Sequence, residues 1–383
     1  MTSAGAIITI DLGAVRRNYR ILRDQLHGAA LAAVVKADAY GLGMAEVAPA
    51  LAREGCNTFF VATADEGIAL RSILSEAGQP DADIHVFNGI QPGEAAEFTE
   101  RRILPVLNSL EQMAIWREYA LAHAPRDKGK GFAADLHIDT GMSRLGLDAA
   151  EQKRLLARPD HLTGIDLDVV VSHLAVAEDT ANPMNESQRA AFAAVAGGLP
   201  GRRKSLVNSS GIFLGPRFHF DLARSGVALY GVNPSPGQSN PMAQVIGLQG
   251  KILQVRFVDT HRSVGYGATH RASRPSRIAT VAIGYADGYP LSLSNVGIAY
   301  IDGREVPVVG RVSMDLTTLD VTDVPDGVAT PGRLVDFVGP FNPIDSVAAR
   351  AKTIAYTILT GLGRRMRRVY VDEAAANRQS ARA

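Results

Sequence analysis

The sequence predicts an α/β protein, with an N-terminal (β/α)8 barrel followed by a mostly β domain. Over the first 230 residues, eight short apolar runs alternate with amphipathic stretches of helical spacing, which is the pattern of a parallel barrel. After Tyr230 the chain becomes rich in Pro, Gly, Ser and Asn and then in β patterns separated by turns. An open doubly wound sheet is the alternative for the first half, because a count of strands does not prove closure.

The predicted barrel strands are rich in Val, Ile, Leu and Ala, as parallel strands covered on both faces should be. They are LAAVVKADA (31–39), TFFVATAD (58–65), DIHVFNG (83–89), RILPVLNS (102–109), FAADLHIDT (132–140), DLDVVVSHLA (166–175), KSLVNSS (204–210) and FHFDLARSG (218–226). Helical patterns such as MAEVAPALAREG and DEGIALRSILSEAG lie between them. Gly55, Gly78 and Gly197 stand where helices are expected to end.

The second half predicts a separate domain. GVNPSPGQSNPM (231–242) has the composition of a linker, so the predicted domains are 8–235 and 236–383, and a first strand at about 6–10 is a candidate member of the second. IDGRE predicts a hairpin turn, and AARAKTIAYTILTGLG predicts one helix. The tail AAANRQSARA is expected to be loose.

Composition excludes several classes of function. A formal net charge of +1 gives no electrostatic case for nucleic acid or an anionic membrane as the main partner. Cys56 is the only cysteine, so no intramolecular disulfide forms, which fits a reducing compartment. No signal peptide and no run of about 18 apolar residues is found, and the cytoplasm is the expected location.

Polar side chains gather at the ends of the predicted barrel strands, where barrel enzymes build their active sites. They are Lys36, Asp38, His137, Asp139, Arg144, His173, Asn208, Ser209, Ser210, Asp221, Arg224 and Gly226. Taken one at a time, each has an ordinary explanation: Arg224 as a surface charge, His173 as a satisfied core histidine, Asp139 and Asp221 as strand-end caps. Their convergence on one end of a barrel indicates a site.

Lys36 ends the first apolar run and is followed by YGLG. One interpretation is a lysine that extends from the barrel rim into water. The other is a Schiff-base lysine, whose amine is made nucleophilic by burial or by a neighbouring cation. Tyr40 and the glycines after it favour the second interpretation slightly, since they let a hydroxyl and the backbone approach a ligand.

The loops after strands seven and eight predict a phosphate site. Ser209 precedes the short helical segment SSGIFLG, and Gly226 opens SGVALYG. N–H groups at helix starts suit a phosphate, although Ser209 as a helix cap and Gly226 as a turn are equally simple explanations. A Schiff-base lysine combined with such a phosphate site describes a pocket for pyridoxal phosphate.

Eight motifs in order then resemble the alanine racemase family, the fold-type III pyridoxal-phosphate enzymes. They are VVKADAYGLG, DTGMSRLG, VVSHLA, VNSSG, ARSGVALYG, VGYGATH, IGYADGY and VGRVSMD, and the resemblance covers the chain from about residue 8 to 370. The resemblance implies a barrel plus a β domain, interconversion of L-alanine and D-alanine, and a homodimer whose active sites are shared between subunits.

The resemblance also implies the roles of single residues. Lys36 is similar to the cofactor lysine, and Tyr266 to a second catalytic base. Phosphate and ring contacts are implied for Tyr40, His173, Asn208, Ser209, Arg224, Gly226 and Val227. Substrate contacts are implied for Arg144, Met314 and Tyr285, with Tyr266, Met314 and Tyr285 supplied by the partner subunit.

Two positions depart from the family pattern. His137 stands where a carbamylated lysine is frequent, so the negative charge that orients Arg144 is expected from another source, such as a bound chloride, or is missing. The C-terminal tyrosine that contacts the phosphate in the family is matched to LTGLGRRMRRVY, with Arg364 or Arg365 as the nearest candidates.

Several other functions stay open at this stage. A broad-specificity amino-acid racemase would differ mainly in pocket size, set by Tyr285, Tyr356 and Met314. A fold-type III decarboxylase normally has a cysteine motif where Ser313 stands. A non-catalytic pyridoxal-phosphate carrier would be a single barrel. A metal-dependent barrel hydrolase would use His137, Asp139, His173, His219 and Asp221, but Lys36 replaces the HxH pair expected on its first strand.

Overall fold

The computed structural model describes residues 4–123 and 131–372, so the predicted loose tail lies outside the described residues. The strands are β1 (Ala6–Asp11), β2 (Ala30–Val34), β3 (Thr58–Val61), β4 (Asp83–Val86), β5 (Leu104–Leu107), β6 (Phe132–His137), β7 (Ile165–Val171), β8 (Arg203–Ser205), β9 (Leu222–Ser225), β10 (Ile246–Val258), β11 (Ser263–Val264), β12 (His270–Arg271), β13 (Ser276–Val281), β14 (Ile298–Ile301), β15 (Arg304–Pro307), β16 (Thr317–Asp320), β17 (Leu334–Val338) and β18 (Arg367–Val371). The helices are α1 (Leu12–Asp24), α2 (Lys36–Tyr40), α3 (Met44–Arg53), α4 (Ala64–Glu76), α5 (Ala95–Glu100), α6 (Leu110–His123), α7 (Ala149–Ala157), α8 (Pro183–Ala196), α9 (Ile344–Arg350) and α10 (Ala355–Thr360).

Strands β2 to β9 form one parallel sheet that closes into a barrel. Each strand from β2 to β7 pairs with the next, and β9 pairs with β2. Between β8 and β9, the Asp221 N–H donates to the Lys204 carbonyl and the Arg224 N–H to the Val207 carbonyl, both at 3.0 Å. The predicted barrel is therefore confirmed over the open sheet. All four residues of β3 are buried, as expected for a strand covered on both faces.

Two of the outer helices begin with a capping box, in which a side-chain oxygen and a glutamate exchange hydrogen bonds with the backbone of the first turn. In α4 the pair is Thr63 and Glu66, and in α7 it is Asp148 and Glu151. Both glutamates also reach beyond their own helix, Glu66 to the Ala37 N–H and Glu151 to the Leu110 N–H. Each capping box therefore ties a helix start to a neighbouring loop.

The second sheet combines the start of the chain with its end. Its order is β15-β14-β17-β10-β1-β18, with β13 joined to β10 and β16 joined to β13. Strand β1 runs antiparallel to β10 and parallel to β18. The predicted IDGRE hairpin joins β14 to β15, and Asp302 and Gly303 both have positive φ, as a type I′ turn requires.

The structure corrects several predicted elements. The single helix predicted near 348–363 is two short helices, α9 and α10, because Lys352 takes a left-handed φ of +54° between them. The predicted strand 31–39 ends at Val34, and the predicted strand 218–226 starts only at Leu222. The excess residues after Val34 lie at the carboxyl end of β2, at the barrel mouth, whereas those before Leu222 lie at the opposite end of the barrel. None of the helices in the described ranges is long and apolar enough to span a membrane.

Candidate active site

The first barrel strand leads into α2, which is a left-handed turn and not a right-handed helix. Lys36 follows β2 after Val35, and the next four residues, 37–40, all have φ between +53° and +57°. Left-handed backbone costs roughly 1–2 kcal/mol per non-glycine residue, so surrounding contacts must hold this turn. Strand β18 supplies two of them: Arg368 Nη1 donates to the Gly41 carbonyl at 2.7 Å, and Tyr370 Oη to the Leu42 carbonyl at 2.9 Å.

Lys36 is half-buried at the mouth of the barrel. Its Nζ lies 5.8 Å from the centre of the Phe87 ring. Burial lowers the pKa of Lys36, and the Arg144 guanidinium lowers it further, whereas the Glu66 carboxylate raises it. The net effect enlarges the fraction of free amine, which is the nucleophilic form.

Tyr40 is buried beside two other tyrosines. Its ring centre lies 4.8 Å from that of Tyr230 and 6.0 Å from that of Tyr356. Burial raises the pKa of Tyr40, so the hydroxyl keeps its proton. Among the described residues this hydroxyl has no hydrogen-bond partner, so it is available as a donor to a ligand.

The loops after β8 and β9 meet at the Tyr40 hydroxyl. Ser209 Oγ accepts from the Gly226 N–H at 3.0 Å and from the Ala228 N–H at 3.3 Å. A Cβ added at Gly226 would lie 2.2 Å from Tyr40 Oη, so only glycine fits there. Val227 begins a short 3₁₀ helix, Val227–Tyr230. The start of this 3₁₀ helix, the serine and the tyrosine hydroxyl together form a cradle suited to a phosphate.

Asn208 lies at the edge of this cradle. Its Oδ1 accepts from the Gly211 N–H at 2.9 Å, which opens the short 3₁₀ helix Gly211–Leu214. The side chain is half-buried and holds the loop that carries Ser209. The structure therefore brings Asn208, Ser209, Gly226, Val227 and Tyr40 to one place.

Arg224 lies buried inside the barrel. It donates to Ser205 Oγ at 2.5 Å and to the Ser172 carbonyl at 2.6 Å, and its Nη2 is 3.4 Å from His173 Nδ1. Burial lowers the pKa of Arg224 to about 10, with the Asp135 carboxylate acting in the opposite direction. The guanidinium is still protonated at neutral pH.

Both histidines at the mouth are neutral. Burial and the cations Arg224 and Arg144 hold the pKa of His173 well below its usual range and lower the pKa of His137 to about 4. His173 Nδ1 faces an arginine donor, so its proton is on Nε2. His137 Nδ1 lies 2.8 Å from Asn108 Oδ1 and donates to it, since the Asn108 amide nitrogen already donates to two backbone carbonyls.

His137 therefore supplies no negative charge to the site. Arg144 is exposed and makes no hydrogen bond or ion pair with any residue in the described ranges. Asp139 is not a substitute, because its carboxylate accepts from the N–H groups of Gly141, Met142 and Ser143. The Arg144 guanidinium is left free for an anionic ligand.

The remaining predicted residues form a separate group in the second domain. Tyr266, Tyr285 and Met314 line one depression of about 550 Å³, together with Arg311. Tyr266 is 73% exposed. No hydrogen bond, ring contact or electrostatic interaction among the described residues joins Tyr266 to Lys36. Within a single chain, the predicted site residues thus form two separate groups, one at the barrel mouth and one on the second domain.

The C-terminal segment corrects one expectation. Arg365 is bound to Asp287 at 2.7 and 3.0 Å and to Asp315 at 2.6 Å, so it is not free to contact a phosphate. Tyr356, which the sequence assigned only to substrate selection, lies beside Tyr40, and burial raises its pKa to about 12. Tyr356 lies eight residues before Arg364, and this closeness to the expected phosphate contact was the signal in the sequence that could have identified it.

The residues of the metal-hydrolase alternative do not form a site. His219 Nε2 is bonded to the Ile212 carbonyl and Asp221 accepts from the Lys204 N–H. Among the described residues, the His and acidic side chains close enough to share an ion are instead Asp83, His85 and Asp168. Arg203 pairs with Asp168 and lies 3.6 Å from Asp83, so it already compensates this group.

Comparison with known proteins agrees with this geometry. Models of the N-terminal and C-terminal domains of alanine racemase match residues 10–234 and 245–370. The alanine racemase of Rhodospirillum rubrum is 50% identical to this chain, and the match covers 96% of each protein. The catabolic alanine racemase of Mesorhizobium japonicum is 46% identical, and the match covers 96% of this chain and 94% of that protein. The crystal structure of alanine racemase from Bartonella henselae with covalently bound pyridoxal phosphate is 40% identical, with a TM-score of 0.90 over 96% of this chain and 100% of that one.

Proposed function

Because the chain belongs to the alanine racemase family, it interconverts L-alanine and D-alanine with pyridoxal phosphate, and we propose that Lys36 and Tyr266 are its two catalytic bases. The observation that carries the proposal is the half-buried Lys36 amine, with its lowered pKa, at the same barrel mouth as the Tyr40–Ser209–Gly226 cradle. Lys36→Ala should abolish racemisation and the visible absorbance band that borohydride removes. A colourless wild-type protein with bound zinc would contradict the proposal.

The residues present fit the cofactor. The cradle that a Cβ at Gly226 would fill is matched to a phosphate, with Tyr40, Asn208, Ser209 and Val227 around it. We assign Tyr356 to the same phosphate, in place of Arg364 or Arg365. When bound, pyridoxal phosphate supplies the electron sink that makes the α-proton of alanine removable.

Arg224 is assigned to the ring nitrogen of the cofactor, with His173 beside it. Its guanidinium is protonated at neutral pH, so it donates and does not accept a proton. With the cofactor bound, a ring nitrogen facing this donor would stay unprotonated, which would weaken the electron sink. Arg224 thereby restrains side reactions such as transamination.

Racemisation needs a proton removed from one face of the α-carbon and another added to the opposite face. Lys36 serves one face and Tyr266 the other, and each acts as base in one direction and as acid in the reverse direction. An unperturbed tyrosine is a poor base at neutral pH. The unpaired Arg144 guanidinium and the proton on His173 Nε2 are the groups suited to stabilise its phenolate.

Substrate selection is assigned to three residues. Arg144 has a free guanidinium for the alanine carboxylate, and Tyr285 and Met314 narrow the depression beside Tyr266. A broad-specificity racemase would need more room beside the α-carbon. Rates measured across L-alanine, L-serine and larger amino acids separate the two functions, and equal rates would favour the broad-specificity enzyme.

We also propose that two copies of the chain share their active sites. Tyr266 is 73% and Phe257 83% exposed, and both line depressions with Arg311 and Ser313 on the second domain. A second copy would cover this face and bring Tyr266 to the Lys36 of its partner. Mixing inactive Lys36→Ala and Tyr266→Phe proteins should restore about a quarter of wild-type activity, because random exchange leaves one intact site in each mixed dimer. No recovery after verified exchange would place both residues on one chain.

The domain division and the location in the cell are proposals of the same kind. Separation of the two sheets supports a boundary near residue 235, with β1 assigned to the second domain. The single cysteine, Cys56, is a buried free thiol, which supports a cytoplasmic location. A strain lacking the chain distinguishes supply of D-alanine for peptidoglycan, which would create a requirement for D-alanine, from catabolism of alanine, which would not.

A further inference from the structure

Glu66 connects the start of α4 to the turn that carries Lys36. Its Oε1 accepts from the Ala37 N–H at 2.6 Å. Its Oε2 accepts from the Ala62 N–H at 2.8 Å and the Thr63 N–H at 3.4 Å, which completes the capping box of α4. One half-buried carboxylate thus holds the exit of β3, the first turn of α4 and the residue next to Lys36.

The turn needs such support. Ala37 is the first of four consecutive left-handed residues, and none of them is glycine. The bond from Ala37 acts at the start of the turn, whereas Asp38 Oδ1, which accepts from the Met44 N–H at 2.7 Å, acts on its later part. A charge-assisted bond to a backbone N–H is about twice as strong as a neutral one. Glu66 is therefore well placed to fix the direction in which Lys36 leaves the strand.

Charge gives Glu66 a second effect on Lys36. The groups that face Lys36 are the Phe87 ring, the Arg144 guanidinium, His173 and Glu66. Among the described residues, Glu66 is the one carboxylate whose charge raises the pKa of Lys36. Glu66 therefore opposes the lowering of the Lys36 pKa by burial and by Arg144. A two-base reaction needs this balance, because an amine with too low a proton affinity is a poor base.

We propose that Glu66 is a positioning residue for the racemase reaction, which acts on Lys36 by orienting its turn through the Ala37 N–H and by the charge of its carboxylate. The inference rests on the proposed role of Lys36 as the cofactor lysine. Glu66 affects Lys36 through a backbone hydrogen bond and through its charge, and it does not contact the reacting atoms.

The test follows cofactor capture by the full-length chain after removal of its cofactor. Capture forms a C=N bond between the Lys36 nitrogen and the cofactor aldehyde and releases one water, so its rate depends on the fraction of free amine. The rate of growth of the visible band after adding pyridoxal phosphate is measured over a pH series. Equilibrium dialysis gives the affinity.

Glu66→Gln keeps one acceptor oxygen and removes the charge. Its pH profile of capture should move to lower pH, with capture at neutral pH roughly threefold faster than in the wild type. Glu66→Ala removes the acceptor as well, so the affinity for pyridoxal phosphate should fall by about tenfold. Racemisation rates of both variants should fall while the band still forms.

Glu151 provides the matched control. It closes the capping box of α7 with Asp148, and its Oε1 accepts from the Leu110 N–H at 3.0 Å, the same arrangement away from Lys36. Glu151→Gln and Glu151→Ala should lower stability without moving the capture profile. A Glu66→Gln profile that overlays the wild type, or a Glu66→Ala affinity equal to that of Glu151→Ala, overturns the inference.

The Lys36→Ala variant separates this inference from the proposed function. If that variant loses the band and the Glu66 variants behave as the controls, only the positioning role fails. If it keeps the band, the assignment of the cofactor lysine fails, and the inference about Glu66 fails with it.

Discussion

Gly226→Ala should weaken binding of pyridoxal phosphate without unfolding the protein. The added methyl would lie 2.2 Å from Tyr40 Oη and 2.9 Å from Tyr40 Cζ. Tyr40 is only 7% exposed and is packed between Tyr230 and Tyr356, so it has little room to yield. The variant accommodates the methyl only by straining this packing and shifting the hydroxyl, and cofactor binding needs the hydroxyl back at the cradle.

The magnitude follows from the cost of overpacking. Inserting a methyl into a filled site costs about 1–3 kcal/mol. If this cost appears on binding, the Kd for the cofactor rises roughly 5- to 100-fold, at about 1.4 kcal/mol for each factor of ten. Equilibrium dialysis of the cofactor-free protein measures the change.

Two comparisons make the result specific. Gly247→Ala is the control, because a Cβ there meets nothing closer than 3.9 Å. In a Tyr40→Phe background the closest clash is gone, so Gly226→Ala should cost less, with a coupling energy of about 1 kcal/mol. Equal affinity for Gly226→Ala and Gly247→Ala, or strictly additive effects with Tyr40→Phe, would refute the packing argument.

Three further outcomes are expected. Burial lowers the pKa of His137 from 6.5 to about 4, so between these pH values the unfolded chain binds one proton more than the folded chain. The free energy of unfolding therefore falls by up to about 3 kcal/mol as the pH drops through this range. In urea unfolding, His137→Gln should show a smaller loss of stability than the wild type over the same range. Arg224→Glu should increase transamination, measured as pyruvate released from alanine. Tyr356→Phe should weaken cofactor binding by about 1 kcal/mol in the same dialysis assay, through loss of one hydroxyl donor.

Each of these outcomes has a matched contradiction. Parallel acid profiles for His137→Gln and the wild type would mean that the buried ring is protonated in the folded state. Unchanged pyruvate release from Arg224→Glu would remove the proposed role of the guanidinium at the ring nitrogen. Wild-type affinity in Tyr356→Phe would leave the phosphate without a ligand from α10.

The sequence predicted the barrel well because buried parallel strands leave a strong local signal. Continuous apolar runs fixed where the strands lie, but not where they end. LAAVVKADA reads as one strand through Ala39, whereas β2 stops at Val34. The residues ADAY (37–40) do not predict a left-handed turn, since alanine and tyrosine avoid that conformation. The contacts that hold the turn come from Glu66, Arg368 and Tyr370, which lie far from it in sequence.

Side-chain pairing was harder to predict than position. Arg365 was a reasonable candidate for the phosphate until Asp287 and Asp315 were found around it. The position of the proton on the His137 ring depends on Asn108, 29 residues earlier in the chain. The roles assigned to Lys36, Tyr266 and the phosphate residues stay predictions until the variants are measured. That Lys36 and Tyr266 belong to two separate groups within one chain was predictable only from the family resemblance.

The contacts made by β18 also bear on the order in which the protein matures. Arg368 and Gly41 are separated by 327 residues, so the bond between them is among the last that a chain leaving the ribosome can make. Contacts of such sequence separation form late in folding, because a long loop must close first. Lys36 is synthesised early, yet two of the contacts that hold its turn form only when the C-terminal strand joins the second sheet. Cofactor loading is therefore expected to follow completion of the whole chain, and a ribosome-stalled chain ending before Arg367 should capture pyridoxal phosphate poorly.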